Sequence, residues 1–517
     1  MYRMLTVIQI PPPLHFERRY EVTSKGMSKL AFVSLIFSLA ATLHAGTVTV
    51  GPSDCSAAAV NAAISASTTH NGDTVLLTCT GSINWASTGT HSWAGADNGT
   101  SNYAVNIPAT KGITLQVQGA SNTNKSSPTF PLTITLPNNV QAIVANIGAN
   151  NSPTRISGFK FQQSSGSVDG FISVVGAGTG NNGLGGYRVD NNYFNGISVW
   201  DGVIGIWSGR NGTTGNLFGL VDNNTFYNIF NSTNPAYGPY VIQIWNWWHP
   251  GTGNYCFGCD GWTNNDFVYG GGNENFIEDN LFDQEASASG HVRHYISSEL
   301  GARYVSRHNT FTNNYSDQNV DLHDAHGLCG VGSNGAGARG GEIYANTIQG
   351  TGYDRAVGPR GGSWLIYDNT ITPGGGNPIE LMEYRSEASS AYECDATNAL
   401  GLMPPWPVPA GASWGANDPW RSDVSGDTAN PGTYHPLPQQ IFNSYMWNNK
   451  TPGGTLINPV VPIDGSQIHY IISGTDYFAS ASKPATLSYT AYTYPHPLRT
   501  TDGSAPHPPT GLTATVQ

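Results

Sequence analysis

Polar residues that could perform acid–base chemistry are concentrated in one part of the chain. Residues 321–327 read Asp-Leu-His-Asp-Ala-His-Gly, and five of the 14 histidines lie between positions 291 and 326. Seven of the 15 arginines lie between positions 293 and 385. Imidazole exchanges protons near neutral pH, and guanidinium groups bind carboxylates through paired hydrogen bonds. The pattern predicts a site for an anionic substrate.

The rest of the chain is poor in charge and rich in glycine and aromatic residues. Only 11% of its 517 residues are charged, and its formal net charge is -12. Soluble domains usually contain about 25% charged residues, and helical bundles need many more Glu, Lys, Leu and Ala. The 13 Trp, 25 Tyr and 18 Phe residues can fill a large core, which argues against disorder. An acidic chain with seven lysines is not expected to bind nucleic acid.

The N-terminal part predicts export. Residues 27–45 read MSKLAFVSLIFSLAATLHA, a lysine followed by an apolar run and a small residue at the end. This pattern is typical of a secretory signal peptide and too short for a membrane span, although a membrane anchor is the alternative. We therefore expect a secreted or cell-surface protein with no span after cleavage. All six cysteines follow the signal, and Cys55 with Cys79 is the disulfide that we predict.

A phrase that ends in Asn-x-Phe or Asn-x-Ile occurs six times. Its asparagines are Asn192, Asn224, Asn280, Asn309, Asn346 and Asn369, at spacings of 23 to 56 residues. A coil of about 20–25 residues with insertions explains such spacings. The Phe or Ile should stack on its counterpart in the next coil, and the Asn should bond its own backbone and the next Asn. Residues 156–161 are an earlier copy, with Gly158 replacing the Asn.

These features resemble a known family. A small-residue helix pattern at 56–67, a strand at 74–78 and the repeated coils are similar to the right-handed parallel β-helix proteins of the pectate-lyase-like superfamily. The resemblance implies an all-β solenoid over residues 46–395 with an N-terminal capping helix. We predict that residues 1–45 are an upstream extension plus signal peptide, and that residues 396–503 are Pro- and Trp-rich closing coils and irregular loops packed on the helix. Residues 504–517 are predicted to be a linker or the start of a truncated module.

Stacked coils also predict a surface. A second strand follows each repeated Asn by about 10–12 residues, so its outward side chains should form one ladder. The expected members are Trp207, Gln243, Trp245, Arg293, Tyr295 or His294, Asp321, His323, Arg355, Glu380 and Glu383. A one-residue shift in register would exchange inside for outside. Aromatic faces and arginines on one surface predict a groove for an acidic polysaccharide.

The favoured reaction is β-elimination at a uronic acid. We predict His323 as the base, oriented by Asp321 or Asp324. The predicted acid is Tyr295 or His294, and the predicted carboxylate-neutralising residue is Arg293, Arg355 or Arg360. Substrate binding is assigned to Trp207, Trp245, Arg360, Glu380 and Glu383.

Metal binding and other functions are open alternatives. The resemblance implies Ca²⁺ as a candidate cofactor, since the superfamily often uses calcium. Asp321, Asp324 and Glu380 are the candidate ligands, although the sequence shows no compact all-carboxylate cluster. A second interpretation places a metal at Asp324 and His326. A glycoside hydrolase would use two carboxyl groups among Asp321, Asp324, Glu380 and Glu383. A carbohydrate-binding or structural rod is the third function class. A monomer is expected.

Overall fold

The computed structural model describes most of the chain between residues 45 and 499. The described residues are 45–92, 100–125, 127–148, 152–163, 170–176, 186–199, 202–208, 217–230, 239–246, 269–285, 292–299, 302–312, 320–325, 338, 340–359, 361–381, 441, 443–461, 471 and 473–499. The predicted signal peptide up to residue 44 and the predicted module at 504–517 lie outside them. No helix among the described residues is long and apolar enough to cross a membrane.

Successive coils contribute one strand to each of three sheets, and the three sheets enclose a shared apolar core. Sheet A contains β1 (Thr47–Val50), β2 (Thr74–Leu77), β6 (Thr114–Val117), β9 (Thr154–Ser157), β12 (Tyr187–Asp190), β15 (Gly219–Asp222), β18 (Asn275–Glu278), β21 (Arg303–Arg307), β24 (Gly340–Tyr344), β27 (Ser363–Tyr367), β30 (Ser444–Trp447) and β31 (Tyr477–Ser480). Sheet B contains β3 (Gly81–Asn84), β7 (Leu132–Leu136), β10 (Lys160–Gln163), β13 (Tyr193–Asn195), β16 (Thr225–Tyr227), β19 (Leu281–Asp283), β22 (Thr310–Phe311), β25 (Thr347–Ile348) and β28 (Thr370–Ile371). Sheet C contains β4 (Gly89–Ser92), β5 (Thr100–Ile107), β8 (Val140–Ile147), β11 (Ile172–Gly176), β14 (Gly202–Ser208), β17 (Tyr240–Asn246), β20 (His294–Glu299), β23 (Asp321–Ala325), β26 (Arg355–Pro359) and β29 (Asn377–Ile379). Apart from the antiparallel pair β4–β5, the named strands pair in parallel, so the predicted β-helix is confirmed.

A short helix covers the first coils, as predicted. Helix α1 (Ala57–Ser65) begins after Ser56, whose hydroxyl accepts a hydrogen bond from a backbone N–H in the first turn. Its buried Val60 and Ile64 lie four residues apart and therefore on the face that packs on the core. The predicted disulfide between Cys55 and Cys79 is confirmed, and it joins the start of this helix to the end of β2.

The repeated asparagines form a continuous hydrogen-bonded ladder. In each coil the backbone N–H and Nδ2 of one Asn donate to Oδ1 of the next, as Asn280 does to Asn309 over 3.0 Å. The residue before each Asn has a positive φ, a conformation that Asn and Gly adopt readily. Gly158 occupies that preceding position, one place earlier than predicted. The ladder also continues to Asn449, which the sequence analysis did not identify.

The phenylalanines of the same phrase stack along sheet B, as predicted. The rings of Phe194, Phe226, Phe282 and Phe311 follow one another with centroids 5.0, 5.0 and 4.6 Å apart and with nearly parallel planes. Offset aromatic pairs contribute about 0.5–1.5 kcal/mol each beyond the area that they bury. The stack therefore fixes the coils in register.

Residues 484–499, which we name the C-terminal strap, cross the outer face of sheet A. The strap runs from β27 back to β12 and ends in a 3₁₀ turn, Pro497–Arg499. Its hydrogen bonds, in chain order, join Tyr489 to Tyr367, Tyr492 to Arg307, His496 to Glu278 and Leu498 to Arg188. It thus covers buried charged groups that would otherwise face water. The predicted domain boundaries stay a prediction.

Candidate functional site

A local kink recurs in the strands of sheet C and decides which residues face outward. Among the described residues of this sheet, three carbonyls each accept from two successive amides: Phe171 from Ala142 and Ile143, Pro239 from Arg293 and His294, and Val320 from Asp354 and Arg355. The pairing of β20 with β23 passes from His294–Asp321 directly to Ile296–His323, and Tyr295, Ile296, Leu322 and His323 are all buried. Bulge-like kinks re-aim side chains in this way. The regular alternation of inward and outward side chains therefore does not hold in these strands.

The predicted base, His323, faces the interior. It is 1% exposed, its ring lies 5.0 Å from that of Phe311, and its two nitrogens contact Ser306 Oγ at 2.9 Å and Ala356 O at 3.0 Å. Burial lowers its pKa to about 4, so the ring is neutral at pH 7. A polysaccharide outside the coil cannot reach it. The prediction of His323 as an outward-facing base is wrong, because the kink turns the residue inward.

Tyr295, one of the two predicted acids, is also a core residue. Its ring packs edge-on against Phe282 and Phe311, and its hydroxyl has no hydrogen-bond partner among the described residues. Burial raises its pKa well above the usual value. Tyr295 is therefore not placed to protonate a sugar, and the kink again explains the error.

The other predicted acid, His294, lies on the outer face with two predicted carboxylates. Its Nδ1 lies 3.4 Å from Asp321 Oδ2 and 3.7 Å from Asp324 Oδ2. The three side chains are buried, and one ligand atom of each lies within 4.8 Å of the others. We call these three residues the His294 cluster. They come from β20 and β23, whose pairing aligns His294 with Asp321.

Arg355 braces the cluster from the next coil. Its Nε donates to Asp321 Oδ1 over 2.7 Å, and its NH1 lies 2.9 Å from Asp354 and 3.5 Å from Glu380. Burial alone would lower the pKa of Arg355, but the three carboxylates raise it above its usual value. The guanidinium therefore stays charged. Glu380 also accepts a hydrogen bond from Asn377.

Three neighbours of the cluster were missed by the sequence analysis or named without a role. Tyr240 stacks on His294 with ring centroids 5.2 Å apart, and Ser297 donates to Asp324 Oδ2 over 3.4 Å. Gln243 pairs with Ser297 across the strands and is fully buried, yet neither amide atom has a hydrogen-bond partner in the described part of the chain. Aligning β17 with β20 by their apolar residues would have placed Tyr240 beside His294.

The other predicted site residues have mixed positions. Trp207 and Trp245 lie side by side on the outer face with centroids 5.1 Å apart, but both are buried, so sugar stacking stays a prediction. Arg293 is half-buried directly before β20. Arg360, Glu383 and His326 lie outside the described residues.

A divalent metal fits the cluster, but the predicted calcium ligands do not. Ca²⁺ takes six to eight oxygen ligands. Arg355 lies between Asp321 and Glu380, so the three predicted carboxylates do not converge on one point. The third member of the compact group is instead the imidazole nitrogen of His294. The donor set is therefore one nitrogen and two carboxylates.

Comparison with known proteins gives distant structural neighbours. No family model matches the chain, and no curated protein matches its sequence. A mannuronic acid specific polysaccharide family 6 lyase from human gut microbiota is 13% identical, with a TM-score of 0.39 over 85% of this chain and 83% of that chain. An alginate lyase from Paenibacillus sp. str. FPU-7 is 14% identical, with a TM-score of 0.29 over 64% and 97%. A PL6 family polysaccharide lyase from Pseudopedobacter saltans is 14% identical, with a TM-score of 0.27 over 80% and 87%.

Proposed function

We propose that this chain is an exported polysaccharide lyase that cleaves a uronic-acid polymer by β-elimination. The observation that carries the proposal is the His294 cluster, braced by Arg355 on the outer face of sheet C. The two core residues at the kink, His323 and Tyr295, have no part in it. The export signal predicted at residues 27–45 supports action on a polymer outside the cell.

Elimination at a uronic acid requires three functions. A positive charge must offset the sugar carboxylate, a base must remove the neighbouring proton, and an acid must protonate the leaving oxygen. Arg293 and Arg355 supply fixed positive charge beside the cluster. Tyr240 is half-buried and stacks on His294. We therefore assign proton transfer with the sugar to its phenol group.

The carboxylates of the site outnumber its fixed positive charges, so an added cation would favour the binding of an anionic sugar. Asp321, Asp354 and Glu380 surround the single guanidinium of Arg355, and Asp324 adds a fourth carboxylate. These four carboxylates outnumber the guanidinium groups of Arg355 and Arg293, so together they repel an anionic sugar. A cation at the cluster reverses part of that repulsion.

A hydrolase is less well supported by the same distances. Glycosidases place their two carboxyl groups about 5–5.5 Å apart or about 6.5–9.5 Å apart, with the sugar bond between them. The ligand atoms of Asp321 and Asp324 lie within 4.8 Å of each other, and Asp321 is bonded to Arg355. Neither carboxyl group faces the other across an open gap.

Product formation tests the proposal. The purified mature chain is incubated with separate polymers of mannuronate, guluronate and galacturonate, and the unsaturated product is followed by its ultraviolet absorbance. We expect product from at least one polymer and a loss of at least about 100-fold in His294→Gln. His308→Asn is the matched control, because His308 stacks on Tyr494 of the strap, and it should keep full activity.

Two outcomes would contradict the proposal. New reducing ends without unsaturated product would indicate a hydrolase. Neither signal on any polymer, from a protein that is folded by circular dichroism, would indicate a binding or structural rod.

A further inference from the structure

We infer that the His294 cluster binds a divalent transition-metal ion of the Zn²⁺, Co²⁺ or Mn²⁺ type in preference to Ca²⁺. The inference concerns the same site as the proposed function, but it does not depend on lyase activity. It replaces the calcium that the sequence resemblance implies.

The spacing of the three ligand atoms matches a coordination shell better than a set of hydrogen bonds. His294 Nδ1 lies 3.4 Å from Asp321 Oδ2 and 3.7 Å from Asp324 Oδ2. Ordinary N–H···O bonds span about 2.7–3.2 Å. Metal–ligand bonds of about 2.0–2.2 Å at tetrahedral angles separate neighbouring ligand atoms by about 3.3–3.6 Å. The two distances from His294 are thus close to those between neighbouring ligands of one small cation, and the remaining pair, Asp321 and Asp324, lies within 4.8 Å.

The type of donor selects the metal. Imidazole suits Zn, Cu, Fe and Ni, whereas Ca²⁺ and Mg²⁺ take oxygen ligands. The cluster presents one imidazole nitrogen and two carboxylate oxygens. One His with two carboxylates matches the mixed nitrogen and oxygen ligands of catalytic transition-metal sites.

The residues around the cluster orient its ligands. Arg355 binds Oδ1 of Asp321 and leaves Oδ2 directed at His294, and Ser297 donates to Asp324. Tyr240 stacks on the imidazole and fixes the plane of the ring. Such outer contacts set ligand orientation, and their removal weakens metal affinity about 10–100-fold.

A second observation on the same face indicates that something else belongs there. Gln243 lies across from Ser297, is fully buried, and has two amide atoms without a hydrogen-bond partner in the described part of the chain. Burial of an amide without hydrogen-bond partners is unfavourable. A hydrated metal ion on the neighbouring strands supplies water that can bond to this amide.

Metal binding can be measured without any substrate. The tag-free full chain is stripped with chelator and dialysed, then titrated separately with Co²⁺, Zn²⁺, Mn²⁺ and Ca²⁺. Calorimetry gives affinity and stoichiometry, and the visible spectrum of bound Co²⁺ reports nitrogen coordination. We expect one site per chain that prefers Co²⁺ or Zn²⁺ over Ca²⁺ by at least about 100-fold.

Three variants make the test specific. Asp324→Asn and His294→Gln should weaken Co²⁺ binding at least about 10–100-fold. His294→Asp, which makes the ligand set all carboxylate, should shift the preference toward Ca²⁺. His308→Asn should leave the Co²⁺ spectrum unchanged, and thermal melting checks that each variant is folded.

The outcomes separate the metal site from the lyase. Co²⁺ binding that is lost in His294→Gln supports the inference even if no polymer is cleaved. Binding of no divalent ion, tighter binding of Ca²⁺ than of Co²⁺, or Co²⁺ binding that survives both His294→Gln and Asp324→Asn would overturn it, whatever the activity.

Discussion

Glu274, next to β18, should make the protein less stable as the pH rises. The side chain is fully buried, and its nearest charge, Arg303 Nε, is 3.7 Å away. Burial raises the pKa of Glu274 to about 8, with Arg303 opposing the shift and Glu342 adding to it. The attraction to Arg303 at a distance beyond a hydrogen bond does not offset the lost hydration, so the native carboxyl group is protonated at pH 7.

The size of the effect follows from linkage. An unfolded Glu titrates near its model value of 4.5, so between that pH and about 8 the unfolded chain releases a proton that the native chain keeps. Stability is then full at low pH and falls as pH rises through this window. From pH 5 to pH 8 the loss is about 3 kcal/mol.

Glu274→Gln removes the titrating group and keeps its shape. We expect its free energy of unfolding, relative to that of the wild type, to rise by about 3 kcal/mol between pH 5 and pH 8. Urea denaturation followed by tryptophan fluorescence at both pH values measures this difference. Glu285→Gln makes the same chemical change at an exposed position and serves as the control.

One result would refute the reasoning. If wild type and Glu274→Gln lose stability in parallel between pH 5 and pH 8, the carboxyl group is ionised in the native state. The contact with Arg303 would then be a true buried ion pair, and Glu274→Gln would be less stable than the wild type at both pH values.

Two further predictions concern the coils. Asn280→Ala removes hydrogen bonds to both neighbouring asparagines and should lower the free energy of unfolding by about 2–4 kcal/mol, whereas exposed Asn84→Ala should change it little; urea denaturation of both variants decides. Replacing Cys55 and Cys79 together by Ser opens a loop with a sequence separation of 24 and should cost about 3 kcal/mol, measured by the same assay against wild type with and without reductant.

The repeat made the fold predictable from sequence. Each copy of the Asn-x-Phe phrase places one bend and one stacked ring, so six copies are enough to define the coil. Asn449 was missed because a long insertion separates it from Asn369 and its neighbours lack the terminal Phe or Ile. The repeated phrase is therefore no longer recognisable from sequence after a long insertion between coils.

The site was only partly predictable, for a physical reason. The strands that carry His294, Asp321 and Arg355 were predicted, and these side chains meet in the structure together with Asp324. His323 and Tyr295 were placed outside because alternation was assumed along each strand. Two adjacent inward residues at the kink interrupt that alternation. No local feature of the sequence at residues 320–325 indicates that the kink is there.

The C-terminal strap limits how this solenoid can change in length during evolution. Coils stack at about 4.8 Å, so one coil added between β12 and β27 would move strap partners such as Arg188 and Tyr367 apart by more than a hydrogen bond. The strap would have to gain residues at the same time. Coils before β12 are free of this constraint within the described residues, so related chains should gain or lose whole coils at the N-terminal side and keep their number constant beneath the strap.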